Sequence, residues 1–290
     1  MIRRLLILVS AAALAGCTLV INVGYGLLDS ALVWYVRDYF PLDARQEAVL
    51  RSGLAEVRQW HCATQLPQYA QWLRSVSGEL QRGMSREDVS RRAAQVQDHW
   101  RDVLRRLAPV LARTFETAGD QQIAALKANF EKSNAEYRAE WVELSRAALA
   151  AKRRDRATTQ ITHWTGALND LQVDEILRWS RGFEPTGADW LAYRERWQRA
   201  FVGALQDRVR AAGADAAVAR LFVDYDTLWE PALRQKIAAN RAATLDMIYR
   251  VQRLMTDAQR RQVGERAAAY AAEFDRLACP APQPAAAAPR

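Results

Sequence analysis

The sequence predicts an all-α fold, a multi-helix bundle of roughly eight to ten helices joined by short loops. Apolar residues recur at spacings of three and four along almost the whole chain, and the alternation typical of strands is nearly absent. The 290 residues include only 13 glycines and 9 prolines, so few positions disfavour a helix. Half of the residues are hydrophobic, which is sufficient for a sizeable core.

The helical spacing is clearest in five segments that contain large aromatic residues. They are residues 49–60, 100–111, 130–144, 190–205 and 263–277. Tryptophan and phenylalanine at this spacing are typical of a helix face that packs in a core. We therefore expect these side chains to be structural rather than a stacking platform for a ligand.

Three helix starts share one pattern, a short polar residue followed three positions later by glutamine. The pairs are Asp43 with Gln46, Asn169 with Gln172, and Thr256 with Gln259. In such a capping box the polar side chain accepts a hydrogen bond from the first helical turn, and the glutamine accepts one from the cap N–H. We expect a helix to begin at each of these sites.

The order of these features indicates an internal duplication of residues 42–150 and 168–278. Each half reads capping box, aromatic helix, tryptophan-containing helix with a proline, and a second marked helix start, which lies at Gln121 in the first half. We expect the prolines, Pro109 and Pro231, to kink or divide their helices. The duplication predicts two similar helical halves packed about a pseudo-twofold axis.

The N-terminus carries the most specific motif of the chain. Two arginines precede a short apolar run, which ends in Leu14-Ala15-Gly16-Cys17. This arrangement resembles the lipobox of bacterial lipoproteins, so residues 1–16 are predicted to be a signal peptide removed before Cys17. The resemblance implies that Cys17 is the lipidation site and carries a diacylglycerol and a further acyl chain such as palmitate. The alternative is a plain secretory signal with an incidental cysteine.

The residue after Cys17 bears on the membrane to which the protein is attached. In Gram-negative lipoproteins an aspartate at this position is the usual signal for retention in the inner membrane, and this chain has Thr18. The resemblance therefore implies the periplasmic face of the outer membrane. Each buried methylene contributes about 0.8 kcal/mol, so two or three acyl chains would anchor the protein almost permanently.

The cysteine count predicts a disulfide. Lipidation of Cys17 leaves Cys62 and Cys279 as an even pair in an oxidising compartment. Closing so long a loop stabilises a fold by roughly 5 kcal/mol in the chain-entropy model. The alternative is that Cys62, next to His61, is a reactive thiol.

The sequence divides into four parts. The signal peptide is followed by an anchor and aromatic membrane-proximal segment at 17–41, a helical domain at 42–279 and a proline- and alanine-rich tail at 280–290, which we expect to be disordered. The segment at 17–41 is interrupted by charged residues, which argues against a second membrane span. A short amphipathic helix in it, with Trp34 and Tyr35, either packs on the body or lies in the membrane interface.

The chain is mildly basic. Its formal charge is +8, which loss of Arg3 and Arg4 with the signal peptide lowers by two. The basic clusters are Arg91-Arg92, Arg105-Arg106, Lys152-Arg153-Arg154 and Arg260-Arg261. We interpret them as solvated helix faces, with contact to anionic headgroups, lipid A phosphates or peptidoglycan carboxylates as the alternative. The compartment disfavours nucleic acid as a partner.

No motif commits the chain to catalysis. His61, His99 and His163 lack the spacing of a helical zinc site, and no nucleophile elbow, phosphate loop or dinucleotide fingerprint is present. Glu140 shares a helix face with Glu136 and Glu143, but such carboxylates are usually salt-bridged at the surface. We predict no catalytic residues, no metal site and no cofactor.

The helix starts at Leu42, Leu168 and Met255 resemble the LTxxQ motif of the periplasmic Spy and CpxP chaperone and stress-sensor family. Met255-Thr256-Asp257-Ala258-Gln259 comes nearest to the full pattern, with methionine in place of leucine. The likeness covers a few helical turns, and convergent helix capping would also produce it. It implies a concave helical surface that binds clients.

A broader resemblance covers most of the mature chain and is to a family of uncharacterised Gram-negative lipoproteins. The residues that carry it are Tyr25, Leu28, Asp29, Trp34, Asp38, Tyr39, Phe40, Leu42, Gln46 and Trp60-His61, and Cys62 departs from the pattern. It implies location and fold but no activity.

Together these features predict a non-catalytic binding role in the cell envelope, chaperone-like or with an envelope protein or peptidoglycan as partner. The alternatives are a cell-wall-modifying enzyme and a purely structural envelope component. The sequence leaves the oligomeric state open, with a monomer or weak association expected.

Overall fold

The computed structural model describes residues 24–207 and 214–280, and all regular structure in these residues is helical. The eleven α-helices are α1 (Leu28–Tyr39), α2 (Ala44–Trp60), α3 (Leu66–Arg82), α4 (Arg86–Thr114), α5 (Asp120–Tyr137), α6 (Arg146–Thr165), α7 (Asp170–Gly182), α8 (Gly187–Asp207), α9 (Ala214–Val223), α10 (Pro231–Arg253) and α11 (Asp257–Leu277). The all-α prediction is confirmed. The eleven α-helices of the described residues slightly outnumber the expected eight to ten. The signal peptide, Cys17 and residues 281–290 lie outside the described residues.

Three short segments depart from α-helical geometry. His61–Gln65 and Arg138–Val142 are π turns, and Tyr225–Leu228 is a 3-10 turn. The first π turn joins α2 to α3 without a break, and Pro67 follows it in the first turn of α3. Proline lacks an N–H, so a position where the regular hydrogen-bond ladder has just been interrupted accommodates it.

The two prolines expected to kink or divide helices behave differently. Pro231 is the first residue of α10, where its missing N–H would have no helical partner in any case. Pro109 does not divide its helix, since α4 continues from Arg86 to Thr114. The residues on either side of it, Ala108 and Val110, are buried, and packing against α2 and α9 holds this part of α4 in place.

A first core forms where α1, α2, α5, α8 and α9 surround the C-terminal half of α4. Its buried residues are Val33, Phe40, Leu50, Leu54, Val110, Leu111, Ala112, Phe115, Ile123, Leu126, Phe201, Val202, Leu205 and Val218. Val33 belongs to α1, so one face of this helix packs on the helical domain. This was the first of the two arrangements predicted for the helix that contains Trp34 and Tyr35. At Gly53 the approach of α2 to α4 is so close that a Cβ would lie 2.4 Å from Val110 Cγ1.

A second core lies among α3, α6, α7, α10 and α11, beside the N-terminal end of α4. It consists of three adjoining clusters. Their buried residues are Leu80, Met84, Val89, Met255 and Val263; Ala70, Leu73 and Ala271; and Ile176, Met247 and Val251. Trp164 contacts the first two clusters and links them.

Each core contains helices from both predicted repeats. The helix α3 of the first predicted repeat packs along α11 of the second repeat. The helix α8 of the second predicted repeat packs on α5 of the first repeat. The long α4 contacts elements of both cores. The two segments 42–150 and 168–278 therefore do not form separate bundles. Whether they superpose stays a prediction.

A pair of glutamines, which we call the first clasp, joins the N-termini of α2 and α5. Gln46 completes the capping box of Asp43, and Gln122 accepts a hydrogen bond from the N–H of the cap residue Gly119. The two side chains also bond each other, with Gln122 Nε2 donating to Gln46 Oε1 at 2.7 Å and Gln46 Nε2 donating back at 3.3 Å. The marked start of α5 is thus Gln122 rather than the predicted Gln121, because only the residue at the third helical position reaches the cap N–H.

The second clasp joins α7 to α11 in the same way. Gln172 and Gln259 complete the capping boxes of Asn169 and Thr256. Their side-chain amides bond reciprocally at 2.9 and 3.1 Å. Gln259 also donates to the carbonyl oxygen of Ala167, two residues before the partner cap, and Gln122 does the same to Pro41 in the first clasp. Both clasps therefore use one geometry, which is the strongest similarity between the two halves.

A disulfide joins Cys62, in the first π turn, to Cys279, just after α11. The two Cα atoms are 5.3 Å apart, and the Cys279 N–H donates to the Cys62 carbonyl at 3.3 Å. Cys62 is therefore bonded and is not a free thiol. The bridge links the start of α3 to the end of α11, the two helices that pack along each other.

Loss of this disulfide is expected to destabilise the fold substantially. The bridged cysteines are 217 residues apart, so the variant Cys62→Ser/Cys279→Ser should lose up to about 5 kcal/mol of unfolding free energy. Guanidinium unfolding of both proteins measures the difference. The wild type in reductant is the control and should match the variant, and equal stability of oxidised wild type and variant would contradict the expectation.

The clasps are expected to couple energetically. Replacing Gln172 by Met removes a cap acceptor and leaves the buried Gln259 amide unmatched, which should cost about 2 to 4 kcal/mol. Gln259→Met should have a similar effect, and the double variant should cost less than the sum by about 0.5 to 3 kcal/mol. Urea unfolding of the wild type, the two single variants and the double variant measures this coupling energy. Gln121→Met, at an exposed position, is the matched control, and strict additivity would show that the two side chains do not interact.

Candidate functional site

A cavity of about 450 Å³, which we call the aromatic cavity, lies within the first core. Most of its lining is hydrophobic or aromatic, and only a few polar groups reach it. The lining residues are Leu32, Tyr35, Val36, Tyr39, Phe40, Leu50, Leu54, Leu107, Leu111, Phe115, Leu126, Phe130, Trp190, Tyr193, Arg194, Trp197, Gln198, Phe201 and Phe222. None of them is a carboxylate.

Helix periodicity brings these side chains together. On α8 the lining positions run from Trp190 through Arg194 and Trp197 to Phe201, and they follow one helix face at spacings of three and four. On α1 the same spacing aligns Leu32, Val36 and their neighbours. The residues that we expected to fill the core at 190–205 thus line a cavity inside it.

The aromatic cavity is closed at one end and open at the other. Deep in it, Leu50 and Leu54 of α2 and Phe115 at the end of α4 are almost fully buried. Tyr35 of α1 is the most exposed lining residue, with 37% of its surface accessible. The entrance therefore lies beside α1.

Polar residues from α5 and α8 form a connected group at the aromatic cavity, which we call the polar cluster. Arg194 donates from Nη2 to Ser133 Oγ at 3.0 Å and from Nε to Asn134 Oδ1 at 3.3 Å. Asn134 and Gln198 exchange hydrogen bonds through their side-chain amides at 2.7 and 3.1 Å. The Tyr39 hydroxyl is hydrogen-bonded to Ser133 Oγ at 3.1 Å, which connects α1 to the group.

Burial affects the pKa values of two tyrosines of the aromatic cavity, Tyr35 and Tyr193. Burial raises the pKa of Tyr35 to about 12, with further contributions from the neighbouring Tyr39 and opposition from Arg194. Burial also raises the pKa of Tyr193 to about 12, and the nearby Tyr225 adds to this. Both phenols therefore keep their protons at physiological pH.

The three histidines lie outside the aromatic cavity and contact aromatic rings. His61 Nδ1 is hydrogen-bonded to the Tyr25 hydroxyl at 3.1 Å, and His163 Nε2 to the Tyr270 hydroxyl at 2.8 Å. Burial lowers the pKa of His61 and of His163, the latter with help from Arg266. The described residues contain no group of three or more His, Cys, Asp or Glu side chains positioned to hold a metal ion.

The other charged candidates form ion pairs. Each of the four basic clusters contributes a cation to a carboxylate: Arg92 to Glu79 at 2.6 Å, Arg105 to Asp102 at 2.7 Å, Lys152 to Glu140 at 2.6 Å and Arg260 to Asp257 at 3.1 Å. Hydrogen bonding to Arg92 lowers the pKa of Glu79. Glu140 is thus engaged with Lys152, which agrees with a salt-bridged surface.

Sequence reasoning missed the residues that give the aromatic cavity its polar character. Arg194 and Gln198 are four positions apart and interrupt the apolar stripe of α8, so a charged residue on a core-facing stripe was the available signal. Ser133 and Asn134 had no such signal, since their partners lie about sixty residues away on α8.

Across residues 24–207 and 214–280, no helix is both long enough and apolar enough to span a bilayer.

One comparison with known proteins gives a match. Residues 38–234, about two thirds of the chain, match the model of a family of unknown function, DUF6279. The matched region includes both helices of the polar cluster and excludes α11. No curated protein and no solved structure gives a significant match.

Proposed function

The chain belongs to the DUF6279 family, whose function is unknown, and we propose that it is a non-catalytic binding protein of the bacterial envelope. In this proposal an acylated Cys17 anchors it to the periplasmic face of the outer membrane, and the aromatic cavity is its binding site.

The observation that carries the proposal is the aromatic cavity itself. Its volume of about 450 Å³ lies within the range of small-molecule sites, which are mostly apolar with a few placed polar groups. No carboxylate of the described residues lines it, so these residues offer no acid and base pair of the kind that a cell-wall hydrolase uses. Binding without chemistry is therefore the function that this geometry favours.

The surface of α1 supports a position next to a membrane. Leu28 and Trp34 of this helix and Leu27 just before it are exposed, Trp34 with 52% of its surface accessible. Tryptophan and tyrosine are favoured at the boundary between headgroups and acyl chains. Tyr35, at the cavity entrance, belongs to the same helix, so a membrane contact of α1 would bring the entrance close to the lipid surface.

A chaperone-like role is the second form of the binding proposal, and the clasped capping boxes agree with the LTxxQ-like starts. The other exposed large apolar residues, such as Trp100, Leu171 and Ile248, belong to three different helices. Single exposed apolar residues are ordinary on folded proteins. We therefore place binding in the aromatic cavity rather than on a broad client surface.

Anchoring has a direct test in a Gram-negative host. The full chain grown with an alkyne analogue of palmitate should be labelled and should sediment with the outer membrane. Cys17→Ser should reduce the label to background and release the protein from membranes, because no acyl chain remains. The variant Cys62→Ser/Cys279→Ser controls for labelling of other cysteines and should keep its label. Label in Cys17→Ser, or wild type in the inner membrane, would contradict the proposal.

Binding in the aromatic cavity is tested with N-phenyl-1-naphthylamine, a neutral apolar fluorophore. The mature chain with Cys17→Ser, exported by a plain secretory signal, should bind one equivalent saturably. Val36→Trp should weaken binding at least about tenfold, because its ring occupies cavity volume, at a folding cost of about 1–3 kcal/mol.

The control is Val96→Trp, the same change at an exposed position of α4. Circular dichroism shows whether each variant is folded. Unsaturable binding by the parent protein, or equal affinity in folded Val36→Trp, would rule out the aromatic cavity as the site.

A further inference from the structure

We propose that the aromatic cavity binds an anionic amphiphile with a single aliphatic chain, whose tail occupies the buried end and whose anionic head pairs with Arg194 near the entrance. This inference rests on the proposed function, because it concerns the same cavity, and it adds the chemical class of the ligand.

Arg194 is a cation that forms no ion pair in the described part of the chain. No carboxylate of the described residues forms a salt bridge with it, whereas Arg196 on the same helix pairs with Glu230, and Arg138 pairs with Glu195. A guanidinium has five N–H donors, and Arg194 uses two of them on the neutral acceptors Ser133 and Asn134. The remaining donors are available for a ligand, and a carboxylate or phosphate accepts such donors in pairs.

The polar cluster fixes the position of this cation. Asn134, which accepts from Arg194, is itself held by two hydrogen bonds with Gln198. The guanidinium carbon lies 5.1 Å from the centre of the Tyr137 ring, in cation–π contact. All of these partners are neutral, so they orient the guanidinium without cancelling its charge. A preorganised donor loses little freedom when an anion binds.

The polar cluster lies at the open end of the aromatic cavity. The ring centres of Tyr35, the exposed residue at the entrance, and Tyr39 are 5.4 Å apart, and the Tyr39 hydroxyl reaches Ser133. The opposite end is closed by buried aliphatic and aromatic side chains, including Leu50 and Phe115. A molecule that satisfies both ends has an apolar chain inward and an anion outward.

The aliphatic class follows from the shape and chemistry of the buried end. Its walls combine leucines with rings, and no described polar side chain outside the polar cluster and the tyrosines lines it. A volume of about 450 Å³ is near the lower end of the range for ligand sites, which suits one chain better than a two-chain phospholipid. A fatty acid and a lysophospholipid share the required chemistry, and they differ in the carboxylate or phosphate of the head.

The test is displacement of N-phenyl-1-naphthylamine from the mature Cys17→Ser chain by decanoate, decyl phosphate and decanol, each below its micellar concentration. At least one of the two anions should displace the probe at a concentration at least about tenfold lower than decanol. Added salt should weaken the anions and not decanol. The better anion identifies the carboxylate or the phosphate as the preferred head.

Variants of α8 test the role of Arg194. Arg194→Gln should weaken the anions about tenfold and leave decanol within about twofold, whereas Arg194→Lys should retain most of the preference because it keeps the charge. Arg199→Gln, at an exposed position of the same helix, should leave all three affinities unchanged. The wild-type comparison of anion with decanol stands even if Arg194→Gln does not fold.

The outcomes separate the two proposals. Probe binding with anions no better than decanol overturns the amphiphile inference and leaves the aromatic cavity as a binding site. An anion preference that persists in folded Arg194→Gln overturns the assignment of the head to Arg194. Absence of probe binding overturns both the site and its ligand.

Discussion

The reciprocal glutamine pairs are the interaction on which the arrangement of both cores depends. A helix N-terminus presents N–H groups that need partners, and a buried one cannot rely on water. Each clasp satisfies two such N-termini at once and binds them to each other, α2 to α5 and α7 to α11. Gln46, Gln172 and Gln259 are almost completely buried, so the loss of one amide would strand its partner in a low-dielectric interior. The two helices that the first clasp joins, α2 and α5, also form walls of the aromatic cavity.

The local features of the fold could be predicted from the sequence, and the long-range ones could not. Periodicity predicted helices, and Asp43, Asn169 and Thr256 lie at helix starts because a capping box is contained in four consecutive residues. The clasp partners of Gln46 and Gln172 lie 76 and 87 residues away, and no local pattern specifies such a distance. The same limit applies to the placement of α3 in the second core and of α8 in the first core. The amphipathic pattern of a helix predicts that one face is buried, but it does not predict which helix covers that face. The aromatic cavity was missed because aromatic residues that line a void have the same spacing as those that fill a core.

A cavity that reaches into a core lowers the free energy of unfolding relative to a fully packed core. Protein interiors are close-packed, and side chains around a void lose contacts that a filled core would provide. In this chain the aromatic cavity lies among rings that meet edge to face, such as Phe115 with Phe201 and Phe40 with Phe115. Such rigid side chains contact each other around a space without collapsing into it. The half-buried Arg194 at its edge adds a further cost. Selection for stability alone would therefore favour side chains that fill the cavity and an apolar residue in place of Arg194. The two features together agree with the proposal that the aromatic cavity binds a ligand.

The helix α1 links the proposed anchor at Cys17 to the aromatic cavity, because it follows the anchor in the chain and lines the cavity. This helix contributes Val33 to the first core, and the next residue, Trp34, about 100° further round the helix, is exposed to solvent. A rigid helix that is packed in a core cannot change its depth in a lipid surface without moving all of its residues together. Tyr35 and Tyr39 are two of these residues, and they form the entrance and its link to the polar cluster. If Cys17 is acylated as proposed, the same short segment that tethers the protein also sets how the entrance faces the lipid surface.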